Sequence, residues 1–156
     1  MPGHPAALAA LTGLARLAAE HVPAEPAPFF RAAPTDAASE THALRTGMYG
    51  LLLASAAGME TVEVRAGVFL GGVFADISTL RPPLSSMRRP SALEPEEWAR
   101  MREHPDRSME LLRHAGVRHS TALRAVRFHH EWWGGGGYPH GIAGEAIPLE
   151  ARIVGV

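Results

Sequence analysis

Residues 129–141 read HHEWWGGGGYPHG. His129 and His130 can each offer an imidazole nitrogen to a transition metal, and Glu131 places a carboxylate directly after them. The glycines at 134–137 let main chain approach a ligand where any Cβ would clash. A histidine pair alone is also what a helix running out into solvent looks like, with a mobile surface loop behind it. Joined to the glycine run and to Tyr138-Pro139, the pair reads instead as part of a ligand site. The chain has no cysteine, so thiolate ligands and disulfides are excluded, and any metal must rely on histidine and carboxylate.

Something has to position these groups. At 156 residues the chain is long enough for one domain with a real core. Charge is balanced, with 15 Lys+Arg against 16 Asp+Glu, which argues against a broad nucleic-acid surface but leaves room for a local basic patch. No apolar run reaches the ~18 residues needed to span a bilayer. No basic segment precedes the N-terminal Ala/Leu stretch, so it does not read as a signal peptide. A bacterial cytoplasmic protein is the expectation.

Leu8, Leu11, Leu14, Leu17 and Ala18 recur at three-to-four spacing and predict an amphipathic helix over 5–20. Pro23, Pro26, Pro28 and Pro34 make 22–36 a linker. A helix is expected from Thr41 to Ala57 with Gly58 as its stop, and another from Glu60 to Asp76. Gly67, Gly71 and Gly72 inside the latter each cost up to ~1 kcal/mol relative to Ala, so close helix packing should compensate there. The stretch from Ser78 to Leu93, with Pro82, Pro83, Pro90 and the Arg88-Arg89 pair, reads as irregular. Pro95 opens a helix to Glu103 that carries Trp98 and Met101 on one face. Pro105 restarts a helix ending near Gly116, and Ser120 to Glu131 forms the helix that delivers the histidine pair. No strand-like alternation of useful length occurs, and the predicted class is all-α.

Gly137-Tyr138-Pro139 resembles the signature of the HD-GYP family, all-helical members of the HD hydrolase superfamily linked to metal-dependent hydrolysis of cyclic di-GMP. The run Gly141-Ile142-Ala143-Gly144 and then Ile147-Pro148-Leu149-Glu150-Ala151-Arg152-Ile153 is similar to the family's continuation into its next helix. Upstream, LEPEEWARMREHP from Leu93 to Pro105 is similar to its central helix and HP step. The similarity covers residues 41–156, without a gap from Leu70 onward. It implies an HD-domain-like helical bundle over 37–156, lacking the family's last helices, preceded by an N-terminal helix and Pro-rich linker over 1–36.

The resemblance also implies a ligand set. His42, in HALR, stands at the histidine of the family's HxxR element, and Asp76 stands where the HD aspartate bridges two metals and serves catalysis. His104 opens the HP step, and His129 and His130 form the pair. Gly135, Gly137, Tyr138 and Pro139 occupy the substrate-binding loop. A metal pair would lower the pKa of a bridging water and clamp a phosphate for in-line attack. Neutral imidazoles and ionised carboxylates suit that task near neutral pH. Iron or manganese is the implied cofactor, although such ligands accept zinc too. Singly, His42 and His104 also read as polar helix residues, and Asp76 as a helix-end carboxylate.

The departures from the family pattern are specific. The HD dyad reads Ala75-Asp76, in FADIST where HDIGK is expected, and a methyl cannot coordinate a metal. Thr79 replaces the lysine that would offer a cation to phosphate. Ala38 stands where some members place a glutamate ligand, and Gly134 where an aspartate commonly precedes the GYP loop. The chain ends at Val156, before the next aspartate ligand is expected. Losing even a supporting partner weakens metal binding about 10–100-fold. One metal on Asp76, His104, His129 and His130 is therefore the expectation, and two-metal occupancy is not.

Three readings follow. The first is a degenerate HD-GYP module, impaired in phosphodiesterase chemistry, that senses cyclic di-GMP or a related nucleotide or engages a signalling protein. Tyr138 or Trp132 would then stack on guanine, against the plainer role of Trp132 or Trp133 packing in the core. The second is an active metal-dependent cyclic di-GMP phosphodiesterase. The third is a truncated fragment without independent function, because a terminal helix of eight residues, Leu149 to Val156, is marginal without tertiary support.

Overall fold

From Ala66 to Phe74 the sequence is free of polar side chains, so a helix there must be surrounded on all sides. The computed structural model describes residues 5–20, 39–80 and 93–155, and this segment lies at its centre. In chain order the helices are α1 (Pro5–Glu20), α2 (Ser39–Ala56), α3 (Val62–Phe74), α4 (Pro95–Met101), α5 (His104–His114), α6 (Ser120–Phe128) and α7 (Leu149–Val154). Short 3₁₀ turns cover Ile77–Leu80 and Gly144–Ala146, and the described residues contain no strand. This is the expected all-α, HD-domain-like bundle. Helix α3 packs against α1, α2, α6 and α7, and Ala66 through Gly72 are buried. Thr61 caps it, its Oγ1 accepting the Val64 N–H at 3.2 Å.

The three α3 glycines are contact points. A Cβ on Gly71 would lie 2.5 Å from the Ala125 Cβ on α6, and one on Gly72 would lie 2.8 Å from the Gly47 Cα and N on α2. A Cβ on Gly67 would collide with the His119 ring. The close approach offsets the propensity that glycine forfeits in a helix. Gly72→Ala pushes backbone against backbone, so we expect a loss of about 1–3 kcal/mol in urea unfolding. Gly13→Ala on α1, where a Cβ would meet nothing within 4 Å, serves as the control and should be neutral or stabilising by up to ~1 kcal/mol. Equal stabilities for the two variants would refute this account of α3.

Helix α1 corrects one expectation. Its buried face is Ala15 and Ala19, packed with Leu51, Ala66, Phe69 and Leu70, whereas Leu14 and Leu17 are more than half exposed. Small side chains win because α1 lies tight against α3. The Arg65 guanidinium then donates to Ala19 O at 3.2 Å, supplying a partner for a carbonyl that the helix end leaves open. The proline-rich segment 22–36, Ala38 and most of the irregular stretch after Leu80 lie outside the described residues.

Glycines at φ +74° (Gly58) and φ +94° (Gly116) follow the ends of α2 and α5. Pro95 sits in the first turn of α4, where Glu97 accepts the Glu94 N–H at 2.9 Å. Three ends fall short of their predicted positions: α3 stops at Phe74, α4 at Met101 and α6 at Phe128. Asp76, His129 and His130 therefore stand on turns just past helix ends.

Candidate metal centre

Asp76 follows the end of α3, and its turn is tied down from two directions. Its carbonyl accepts the Thr79 N–H at 2.9 Å and the Thr79 Oγ1 hydroxyl at 2.8 Å. Ser78 reaches across to α5, its Oγ donating to His104 O at 3.0 Å and its N–H to Ser108 Oγ at 3.2 Å. The buried Ser78–Ser108 pair thus joins the aspartate turn to the helix carrying His104. Thr79, which stands at the lysine position of the resemblance, is buried and serves this turn.

His104 and His129 are buried, and their tautomers are fixed by main chain. The Nδ1 of His104 lies 2.8 Å from Met101 O, and that of His129 lies 2.7 Å from Val126 O. A carbonyl can only accept, so each Nδ1 carries a proton and each Nε2 is left to face the cluster, as a donor to Asp76 when protonated and as a metal ligand when not. The two Nε2 atoms face each other at 3.2 Å. Both also face Asp76 Oδ1, at 3.0 Å from His104 and 3.8 Å from His129. Three such atoms at these distances need a proton or a metal cation among them.

His130 completes the cluster. Its ring centroid is 4.2 Å from that of His129 and 4.9 Å from that of His104. Tyr138 stacks on its other side at 4.5 Å and 21°. The loop that brings Tyr138 back is clamped by Glu131, a buried carboxylate whose Oε1 accepts the N–H groups of His140 at 2.7 Å and Gly141 at 3.2 Å. Tyr138 N–H donates to His130 O at 3.1 Å, and the Tyr138–Pro139 peptide is cis. A Cβ on Gly137 would collide with main chain at 130–132, so that glycine is required by the loop's own closure.

Asp76 supplies the negative charge of the cluster. Burial alone would raise the Asp76 carboxyl, but hydrogen bonds from His104 and His129, together with their charge, hold it well below the usual carboxylate range. Burial, followed by the charge of His129 and His104, lowers His130 to about 3, leaving it neutral near pH 7. Burial and then the negative charge of Asp76 push Tyr138 up to about 12, so it stays a protonated donor. One ligand atom each from Asp76, His104, His129 and His130 lies within 4.8 Å of all the others. That spacing is close to what an ion with ~2.1 Å bonds requires. The donor set fits a divalent transition metal. When bound, such an ion supplies Lewis-acid polarisation of a phosphoryl oxygen and a more acidic water.

His42 stands apart from this group. It is largely exposed on α2, with Nε2 4.0 Å from Asp76 Oδ2, the oxygen turned away from His104 and His129. Between them is a cavity of about 310 Å³ with mostly apolar walls, including Val73, Phe74, Ala75 and Ile77. Ala75 faces it with a methyl. Gly135 bends the loop at φ +80°, and Pro139 follows Tyr138 beside the cluster. Trp132 and Trp133 are both about 60% exposed, so neither fills the core, and Arg152 lies over Trp133 at 5.2 Å. Sequence reasoning missed the loop-clamping role of Glu131 and the Ser78–Ser108 tie. For the glutamate the available signal was its place directly after the histidine pair.

Comparison with known proteins shows the family. Residues 36–156 match the HD domain family. The chain is 40% identical over 107 residues to the cyclic di-GMP phosphodiesterase response regulator RpfG of Xanthomonas campestris pv. campestris, covering 67% of this chain and 28% of that protein. It is 30% identical over 122 residues to a cyclic di-GMP phosphodiesterase of Thermotoga maritima, covering 78% and 33%. It is also 33% identical over 82 residues to the 3'3'-cGAMP-specific phosphodiesterase 2 of Vibrio cholerae, covering 52% and 16%. The chain thus spans a third or less of the length of each of these relatives.

Proposed function

The chain belongs to the HD domain family, on its HD-GYP-like side, and from that premise we propose that it is a one-metal module that binds a cyclic dinucleotide and hydrolyses it poorly. HD domains bind divalent metals, and the relatives' names point to cyclic di-GMP or a related cyclic dinucleotide as the ligand class. One observation carries the reading. Four donor atoms lie within 4.8 Å of one another, whereas among the described residues the neighbouring position at Asp76 Oδ2 has His42 at 4.0 Å and the Ala75 methyl. Asp76, His104, His129 and His130 would hold the ion, iron or manganese, and orient one phosphate. Gly135, Gly137, Tyr138 and Pro139 would form the wall against which the nucleotide lies. Residues 37–156 would act as the module and 1–36 as its adjunct, working in the cytoplasm with a signalling partner. No helix among the described residues is long and apolar enough to cross a membrane.

A second reading, an active phosphodiesterase, draws on the orientation of Asp76. Its two oxygens face opposite ways, Oδ1 towards His104 and His129 and Oδ2 towards His42, as a carboxylate bridging two ions would. Metal content separates the two readings. On untagged protein purified anaerobically, mass spectrometry should give about one equivalent of iron or manganese per chain. Nearly two would favour the phosphodiesterase, and essentially none would sink the metal-centred reading altogether.

A further inference from the structure

The chain contains no lysine, so its fifteen permanently charged basic side chains are all arginines, and such a side-chain cation meeting a phosphate must be one of them. Most of the described arginines are engaged elsewhere. Arg107, Arg124 and Arg127 face Glu103, Glu150 and Asp106, while Arg65 and Arg118 donate to main-chain carbonyls. Arg45, on α2 behind His42, also has a partner of its own.

Arg102 is placed differently. It caps the C-terminal end of α4, two residues before His104, and its guanidinium carbon lies 6.0 Å from the Trp98 ring and 6.0 Å from the Tyr138 ring. Those two aromatic contacts are its side-chain interactions among the described residues; no carboxylate there neutralises it. Tyr138 is itself stacked on His130, so this guanidinium stands one ring away from the converging metal ligands. Trp98 and Arg102 are both exposed, so the group is open to an incoming ligand. A guanidinium resting over two rings keeps its N–H donors at the edges, in the planar fork that matches two phosphate oxygens.

We infer that Arg102, held between Trp98 and Tyr138, is an anion-binding residue that anchors a phosphate of the ligand reaching the metal centre. The inference rests on the nucleotide-binding reading above and adds to it a second contact. The four-donor cluster takes one phosphate, and Arg102 takes negative charge on the Tyr138 side. It is a binding residue, and no bond-making step is assigned to it.

Inorganic phosphate tests this with the full chain. In a Trp132→Phe/Trp133→Phe background Trp98 is the one tryptophan left, and phosphate drawing on Arg102 should change its emission saturably. Arg102→Gln should bind phosphate about tenfold more weakly, as expected for one charge-assisted contact, with no change in metal equivalents measured on the same samples. Arg102→Lys should recover part of the loss, since charge remains but the fork does not. Equal affinity in Arg102→Gln would overturn the inference and leave phosphate on the metal alone. Absence of saturable binding in the Arg102 parent would overturn it as well. Arg102-dependent binding by protein that holds no metal would support this subsite while removing the metal-centred reading.

Discussion

Replacing His129 with alanine is expected to strip the chain of its metal. Two of the four donors, His104 and His129, are buried and have their rings oriented through Nδ1 by main-chain carbonyls at 2.8 and 2.7 Å. Orientation of this kind lets a few ligands hold an ion, and removing even a supporting partner costs about 10–100-fold in affinity. Losing the ligand itself should cost at least that, and dialysed protein should then carry well under a tenth of an equivalent. The loss should also appear in stability. An ion present at about 100 times its Kd stabilises the folded chain by about 2.7 kcal/mol, roughly 5–10 °C in Tm for a domain of this size. A chelator should therefore lower the Tm of the parent by that amount and leave His129→Ala unchanged. Because His129 is buried, its truncation also leaves a gap; Asp76→Asn, a near-isostere on a partly exposed residue, separates metal loss from packing loss. A parent whose Tm ignores chelator, with both variants retaining metal, would remove the cluster as a binding site.

Much of this arrangement is legible in the amino-acid sequence. Gly67, Gly71 and Gly72 announced close helix contacts, and Gly47 and Ala125 are found at two of those points. Pro95, Gly58 and Gly116 mark ends where the local chemistry of proline and glycine demands them. What stayed hidden depends on where other helices lie. The spacing of Leu14 and Leu17 suggested a leucine face, but the face of α1 that meets α3 is chosen by how closely two backbones can approach, which favours Ala15 and Ala19. His104, His129 and Asp76 could be named from motifs. That two of them turn their Nε2 atoms towards each other follows only once Met101 O and Val126 O are placed. Arg102 escaped notice for the same reason, since its partners Trp98 and Tyr138 lie 40 residues apart in sequence and meet only in the fold.

Ala75→His is expected to give the chain a second metal equivalent. Ala75 follows the end of α3 and borders the cavity of about 310 Å³ beside Asp76, so an imidazole has space to enter from the helix end. It would join His42 and Asp76 Oδ2, already 4.0 Å apart, and raise the donors around that point from two to three. Three protein ligands with an open position are enough for a reactive metal, whereas two are not. The opposing cost is packing: Ala75 is buried and lies in a cluster with Val68, Ile153 and Val154, so a larger side chain there should cost about 1–3 kcal/mol if it cannot turn fully into the cavity. The variant should therefore melt somewhat lower without metal and recover with it. Mass spectrometry should give about two equivalents, and release of linear dinucleotide from cyclic di-GMP should rise with the second. A folded Ala75→His chain still holding one equivalent would mean that the methyl at 75 does not limit the site, and the shortfall would then lie in the missing carboxylates. A second equivalent without faster hydrolysis would instead separate metal capture from catalysis and leave binding as the module's task.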